Sequence, residues 1–148
     1  MMTVSNGGSG GLVQLFGRIS VGSKLILLIY IASFAGATFN HVSDIFSSGF
    51  LYADAADVYP LWIRIYWSSL TIFDPLAALF LFLNIKKGIV LYFIIIVSDV
   101  VINFSIIALT RGPSAFLNFF NLSQSAFLIF LFITSRIVLK ELKEIEKY

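Results

Sequence analysis

Apolar residues fall in four long runs, each separated from the next by a short polar or Gly/Pro-containing stretch. The first run is Leu25 to Phe39, closing on Asn40, His41, Ser43 and Asp44. About 20 residues are needed to cross ~30 Å of hydrocarbon. A span is therefore predicted over 24–45, and the later runs predict spans over 61–84, 89–109 and 115–138. Tyr59, Trp62, Tyr66 and Trp67 cluster near the start of the second span, where an interfacial aromatic belt belongs. The connections are FSSGFLYADAADVYP, NIKKG and TRGPS. Such short links make neighbouring helices antiparallel. The expected architecture is an all-α, integral membrane four-helix up-and-down bundle. Ahead of it, residues 1–23 read as a flexible or interfacial lead, and after it 139–148 read as a charged cytoplasmic tail.

Composition narrows this further. Of 148 residues, 12% are charged and 59% hydrophobic, with 16 phenylalanines. A soluble domain carries about twice that charge, so a soluble fold is excluded. The chain has no cysteine, which rules out disulfides and thiolate chemistry, and a single histidine, which leaves no basis for a zinc site. No basic tail or glycine-rich phosphate loop points to nucleic acid or a nucleotide, and no metal or organic cofactor is expected.

Charge placement sets the expected orientation. Arg18, Lys24, Lys86, Lys87, Arg136, Lys140, Lys143 and Lys147 fall on one side of the four spans, and Arg64 and Arg111 on the other. Basic residues stay in the cytoplasm, so both termini are expected there, in a bacterial inner membrane. Arg18 and Lys24 before an apolar stretch and Ala35-Gly36-Ala37 after it also fit a cleavable signal peptide. An uncleaved first helix is the expectation carried forward.

Polar side chains within the spans carry the chemical information, because lipid cannot hydrogen-bond them. The first helix presents Asn40, His41 and Asp44 on one face, the third Asp99 and Asn103, and the fourth Asn118, Asn121, Gln124 and Ser125. The second offers Arg64, Ser68, Ser69 and Asp74-Pro75. Counting ~1.5 Å per residue puts His41, Asp44, Arg64, Asn103, Asn118 and Asn121 in the outer half, with Asp99 and Gln124 nearer the middle. Asp74 falls on the inner side of centre. The implied feature is a polar cup in an apolar bundle, with His41, Asp44, Asp99, Asn103, Asn121 and Gln124 as ligand-binding candidates. Asp74, Pro75 and Arg64 are assigned structural roles: a proline kink, a carboxylate pairing with Arg136 or a lysine, and a guanidinium reaching the interface.

These segments also carry a resemblance. His41 with Asp44, Phe73-Asp74-Pro75-Leu76, Ser98-Asp99-Val100 and Gln124-Ser125-Ala126-Phe127, followed by Arg136 and a charged tail, resemble in order and spacing the EXPERA domain family of emopamil-binding sterol isomerases and the sigma-two receptor. The resemblance covers about residues 39 to 140 and implies a four-helix membrane fold with a sterol-like ligand. The chain departs from the family pattern on the second helix, where Tyr66 and Trp67 stand near the expected carboxylate, and in its three-residue step from His41 to Asp44. It is also similar to small uncharacterised bacterial membrane proteins with a DPLAAL segment before SDVVIN, a likeness that implies no activity.

The function expected is binding of a lipid, sterol-like or isoprenoid ligand in an intramembrane polar pocket, with membrane lipids as surroundings. Two alternatives stay open. One is a membrane isomerase acting through His41 and a protonated Asp99. The other is an accessory subunit, or a homo-oligomer, packing through the small residues Ser33, Gly36 and Ala37. A proton-coupled transporter ranks behind both, since four helices make a small pathway.

Overall fold

The computed structural model describes residues 17–110, 112 and 116–147. The expected lead over 1–16, Arg111, most of the third connection, the first residue of the span expected from Ala115, and Tyr148 lie outside the described residues. Helices α1 (Val21–Ser48), α2 (Leu61–Leu83), α3 (Ile85–Thr110) and α4 (Phe119–Ile145) account for most of the rest, with a 3-10 turn at Ala53–Ala55 between α1 and α2. No strand occurs among the described residues. All four helices are long and apolar enough to cross a membrane, the make-up of a multi-pass integral membrane protein.

The helix ends depart from the apolar runs for local reasons. α1 starts at Val21 because the Ser20 hydroxyl caps it, accepting from the Ser23 N–H at 3.2 Å. α2 and α3 are separated by Asn84 alone, not by the five-residue turn that NIKKG suggested. Asn84 leaves helical geometry at φ −156° and ψ 98°, and its side-chain oxygen accepts from the Lys87 N–H at 3.0 Å. α4 begins at Phe119, later than expected, with Asn118 as its cap. It then runs through the charged segment expected as a tail. Leu131, Ser135, Val138 and Leu142 continue one buried stripe at spacings of four, three and four, so packing carries the helix to Ile145.

The core occupies one half of the molecule. Leu27, Tyr30 and Phe34 of α1 pack with Ala77 and Leu81 of α2, Ile85, Ile89 and Tyr92 of α3, and Leu131, Val138 and Leu142 of α4. Its centre is aromatic: Tyr92 stands edge-on to Tyr30 at 5.1 Å and lies 4.0 Å from Phe34 and 5.7 Å from Phe127, centroid to centroid. Hydrogen bonds tie the same half together. The Tyr30 hydroxyl meets Thr134 Oγ1 at 2.6 Å, Ser33 meets the Tyr92 hydroxyl, and Glu141 accepts from Ser20 and Ser23 at the start of α1.

The closest backbone approach is at the α2–α3 turn. A Cβ on Gly88 would lie 2.5 Å from the Leu81 backbone nitrogen, so only glycine fits. Gly88→Ala is expected to force the two helices apart and lower stability by ~1–3 kcal/mol, the usual cost of overpacking. Asn84→Ala should cost about 1 kcal/mol through the lost cap. Thermal unfolding of the purified protein in detergent measures both.

Candidate functional site

Away from that core, the other half of the bundle is open. A cavity of about 370 Å³ lies between α1 and α4, lined on α1 by Ser33, Gly36, Ala37, Asn40, His41 and Asp44, and on α4 by Phe120, Ser123, Gln124 and Phe127. Leu70 and Asp74 of α2 and Tyr92, Ile95, Ile96 and Asp99 of α3 form its back wall. Gly36, Asn40, Asp44, Phe120 and Ser123 line the cavity and are also exposed, so it opens sideways between α1 and α4. The small residues expected to serve helix association are here the wall that leaves the space empty. A Cβ on Gly36 would meet nothing within 4 Å.

Of the three carboxylates that line this cavity, Asp44 is exposed, and the two buried ones stand in opposite circumstances. Asp99 is fully partnered: its Oδ1 accepts from Asn103 Nδ2 at 3.1 Å and its Oδ2 from Gln124 Nε2 at 2.5 Å. Asn103 also donates to Gln124 Oε1 at 3.1 Å and accepts from Trp67 Nε1 at 3.0 Å. The ring of contacts joins α2, α3 and α4 and uses the amide groups of both Asn103 and Gln124. Asp74 is the reverse case. It is 1% exposed, and neither of its oxygens has a hydrogen-bond partner among the described residues. Its nearest basic atom is His41 Nε2 at 3.8 Å. A buried carboxyl without a hydrogen bond is costly.

This corrects the assignment of Asp74 as a structural partner of Arg136. The Arg136 guanidinium instead lies over the Phe132 ring, 4.2 Å from its centroid. His41 and Asp74 lie at one depth rather than in opposite halves, and the connection 49–60 folds back beside α2. Arg64 donates from Nη1 to the Leu51 carbonyl and from Nε to the Tyr59 carbonyl, each at 3.2 Å, rather than reaching outward. The Tyr52 ring packs 5.6 Å from Trp67. The end of α1 is thus level with Arg64 and Trp67, and His41 comes level with Asp74. Pro75 is exposed on the outer side of α2 and lines nothing.

The amide stripe expected on α4 divides. Gln124 lines the cavity, Asn118 is spent as the cap accepting from the Asn121 N–H at 3.0 Å, and Asn121 is buried away from the cavity. Ser123, not anticipated, does line it. Tyr52 is the other residue that sequence reasoning passed over. Leu51 and Tyr52 have φ of 55° and 49°, a left-handed backbone costing roughly 1–2 kcal/mol per non-glycine residue. The Tyr52 hydroxyl lies 3.4 Å from His41 Nδ1 and donates to Asp44 Oδ2 at 3.5 Å. Burial, reinforced by Asp44, pushes its phenol above the usual range, so it stays protonated at neutral pH.

Among the described residues no group of three or more His, Asp or Glu side chains is placed to hold a metal. The chain matches no family model, no curated protein and no solved structure.

The contrast between the carboxylates has a direct consequence. In Asp99→Asn, one new NH2 must face another; flipping Gln124 only moves the clash to Asn103, and flipping Asn103 breaks its bond to Trp67. Asp99→Asn should therefore destabilise by ~1–2 kcal/mol. Asp74→Asn, which breaks no hydrogen bond, should leave stability unchanged or raise it. Paired unfolding curves test both.

Proposed function

We propose that this protein binds a lipidic molecule, sterol-like or isoprenoid, with a hydroxyl or amine head inside the bundle and its apolar remainder emerging between α1 and α4. The carrying observation is the buried Asp74 carboxyl, without a hydrogen bond and beside His41, on the wall of a cavity that also presents Leu70, Tyr92, Ile95, Ile96 and Phe127. A head group with a hydrogen to donate would satisfy Asp74, and Leu70, Tyr92, Ile95, Ile96 and Phe127 would pack the adjoining carbons. At about 370 Å³ the cavity lies near the lower end of the ~300–1,000 Å³ typical of ligand sites, enough for the head and first ring or isoprene units of such a molecule. The resemblance to the EXPERA domain family supports the same ligand class.

The setting proposed is a bacterial inner membrane, with the helices as an up-and-down bundle and both termini cytoplasmic. The split of basic residues supports this orientation, which puts the connection 49–60 and the adjacent cavity in the outer half. A second reading, isomerase catalysis, is favoured by one observation: an imidazole and a carboxyl face one cavity. Its acid and base would be His41 and Asp74 rather than His41 and Asp99, because Asp99 is occupied by two amide donors.

Native mass spectrometry of the gently extracted protein tests the binding reading. A hydrophobic adduct of defined mass is expected. Gly36→Phe, which fills the mouth and places its Cβ in open space, should abolish the adduct while the protein stays folded. Asp74→Asn should weaken binding by about 1.5–3 kcal/mol, roughly ten- to a hundredfold in Kd. An adduct indifferent to both substitutions would refute the pocket. A second protein in place of a lipid would favour the accessory-subunit role.

A further inference from the structure

Ligand binding needs Asp74, yet the structure places a longer series of proton-bearing groups behind it. Asp44 lies exposed near the end of α1. Its Oδ2 accepts from the Tyr52 hydroxyl at 3.5 Å, and the same hydroxyl is 3.4 Å from His41 Nδ1. The other ring nitrogen, Nε2, is 3.8 Å from Asp74 Oδ2. The groups stand in single file from the surface at the connection 49–60 to a carboxyl that is 1% exposed and otherwise unpartnered.

We propose that Asp44, Tyr52 and His41 form a proton relay connecting Asp74 with the aqueous phase at the connection 49–60. With the Tyr52 hydroxyl turned from Asp44 to a His41 Nδ1 that carries no proton, the phenolic proton passes to Nδ1 as a proton from Asp44, or from water beside it, joins the Tyr52 oxygen. The imidazolium so formed releases its Nε2 proton to Asp74 Oδ2 and becomes neutral again. One proton moves inward, the buried carboxylate loses its charge, Tyr52 ends with a new phenolic proton, and the imidazole ends with its proton on Nδ1 instead of Nε2. The first two contacts are long hydrogen bonds and the third, at 3.8 Å, lies beyond hydrogen-bond reach; contacts of this kind commonly tighten only when the transfer occurs.

The surroundings keep the route specific. Arg64 holds the Leu51 carbonyl, and the Trp67 ring packs at a tilt against Tyr52, so the hydroxyl is held between Asp44 and His41 despite the left-handed backbone beneath it. The other titratable groups around Asp74 are Tyr66 on its own helix and Tyr92 and Asp99 on α3. Tyr66 is bonded to Ser98, Tyr92 to Ser33, and Asp99 to two amides. α4 faces the cavity with Phe120, Ser123, Gln124 and Phe127, none of which titrates. His41 is therefore the one basic group lining the cavity and the group through which Asp74 meets the surface.

The relay stands independently of the ligand, and its test requires none. Because the chain has a single histidine, nitrogen-15 histidine labelling gives one imidazole to observe. The measurement is the exchange of the His41 ring protons with water, by nuclear magnetic resonance, in the full-length protein held in lipid nanodiscs. Tyr52→Phe keeps the ring against Trp67 and removes the hydroxyl; exchange is expected to slow on the order of 10²-fold, the scale of a positioned proton-transfer group. Should Tyr52→Phe fail to fold, Asp44→Asn serves in its place with a smaller slowing of the same sign. Wild-type exchange in a folded variant would overturn the relay, since water would then reach the imidazole through the mouth between α1 and α4. A relay that fails in this way leaves the mass-spectrometric adduct untouched, and a missing adduct leaves the exchange rates untouched.

Discussion

A bilayer interior offers no hydrogen bonds, so each polar group carried into it must find its partner inside the protein. Nearly every feature of this bundle follows from how that demand is met. Serine and threonine hydroxyls turn back onto their own helices, as Ser98 does to the Ile95 carbonyl and Ser105 to the Val101 carbonyl. Amides and carboxylates reach across helices, and the Trp67–Asn103–Asp99–Gln124 ring fastens α2, α3 and α4 by that means. Among the described residues Thr38, Ser68, Asn121 and Asp74 hold buried side-chain polar atoms without a hydrogen-bond partner, and of these Asp74 is the carboxyl.

The partition of the bundle into two halves gives that carboxyl its setting. At the Gly88 end, helices approach until only glycine fits, and aromatic rings fill the space between them. At the other end Gly36, Ala37 and Ser33 line the cavity on α1 in place of bulky side chains, and Arg64 holds the connection 49–60 back against α2. The packed half supplies rigidity, and the open half supplies a chamber whose polar groups are aimed by it. Tyr92 belongs to both: its ring is core, and it also forms part of the cavity wall.

Much of this was legible in the chain. Four apolar runs give four helices, and the spacing of His41 with Asp44 and of Asp99 with Asn103 brings polar groups to shared faces. Asp74 was also legible in principle, since it falls on the buried stripe Ile63, Leu70, Asp74, Ala77, Leu81. The adjoining Pro75, a helix-bending residue, masks that periodicity. What no local pattern discloses is the fold-back of residues 49–60. It depends on Arg64 finding carbonyls 5 and 13 residues earlier in the chain, and it shifts the register of α1 against α2 enough to bring His41 to Asp74. Helix ends were missed for a related reason. A single Asn84 can both end α2 and cap α3, and Val138 and Leu142 extend α4 through charges that look like a tail.

The proposed occupant of the chamber between α1 and α4 is a lipidic molecule. Photolabelling with a diazirine-bearing isoprenol or sterol in intact membranes, followed by peptide mass spectrometry, tests it most directly. Adducts should fall on the cavity-lining residues of α1 and α4 and disappear in Gly36→Phe. Labelling confined to outward residues of α3 such as Val90, Ile94 and Val101, and unaffected by Gly36→Phe, would contradict the account.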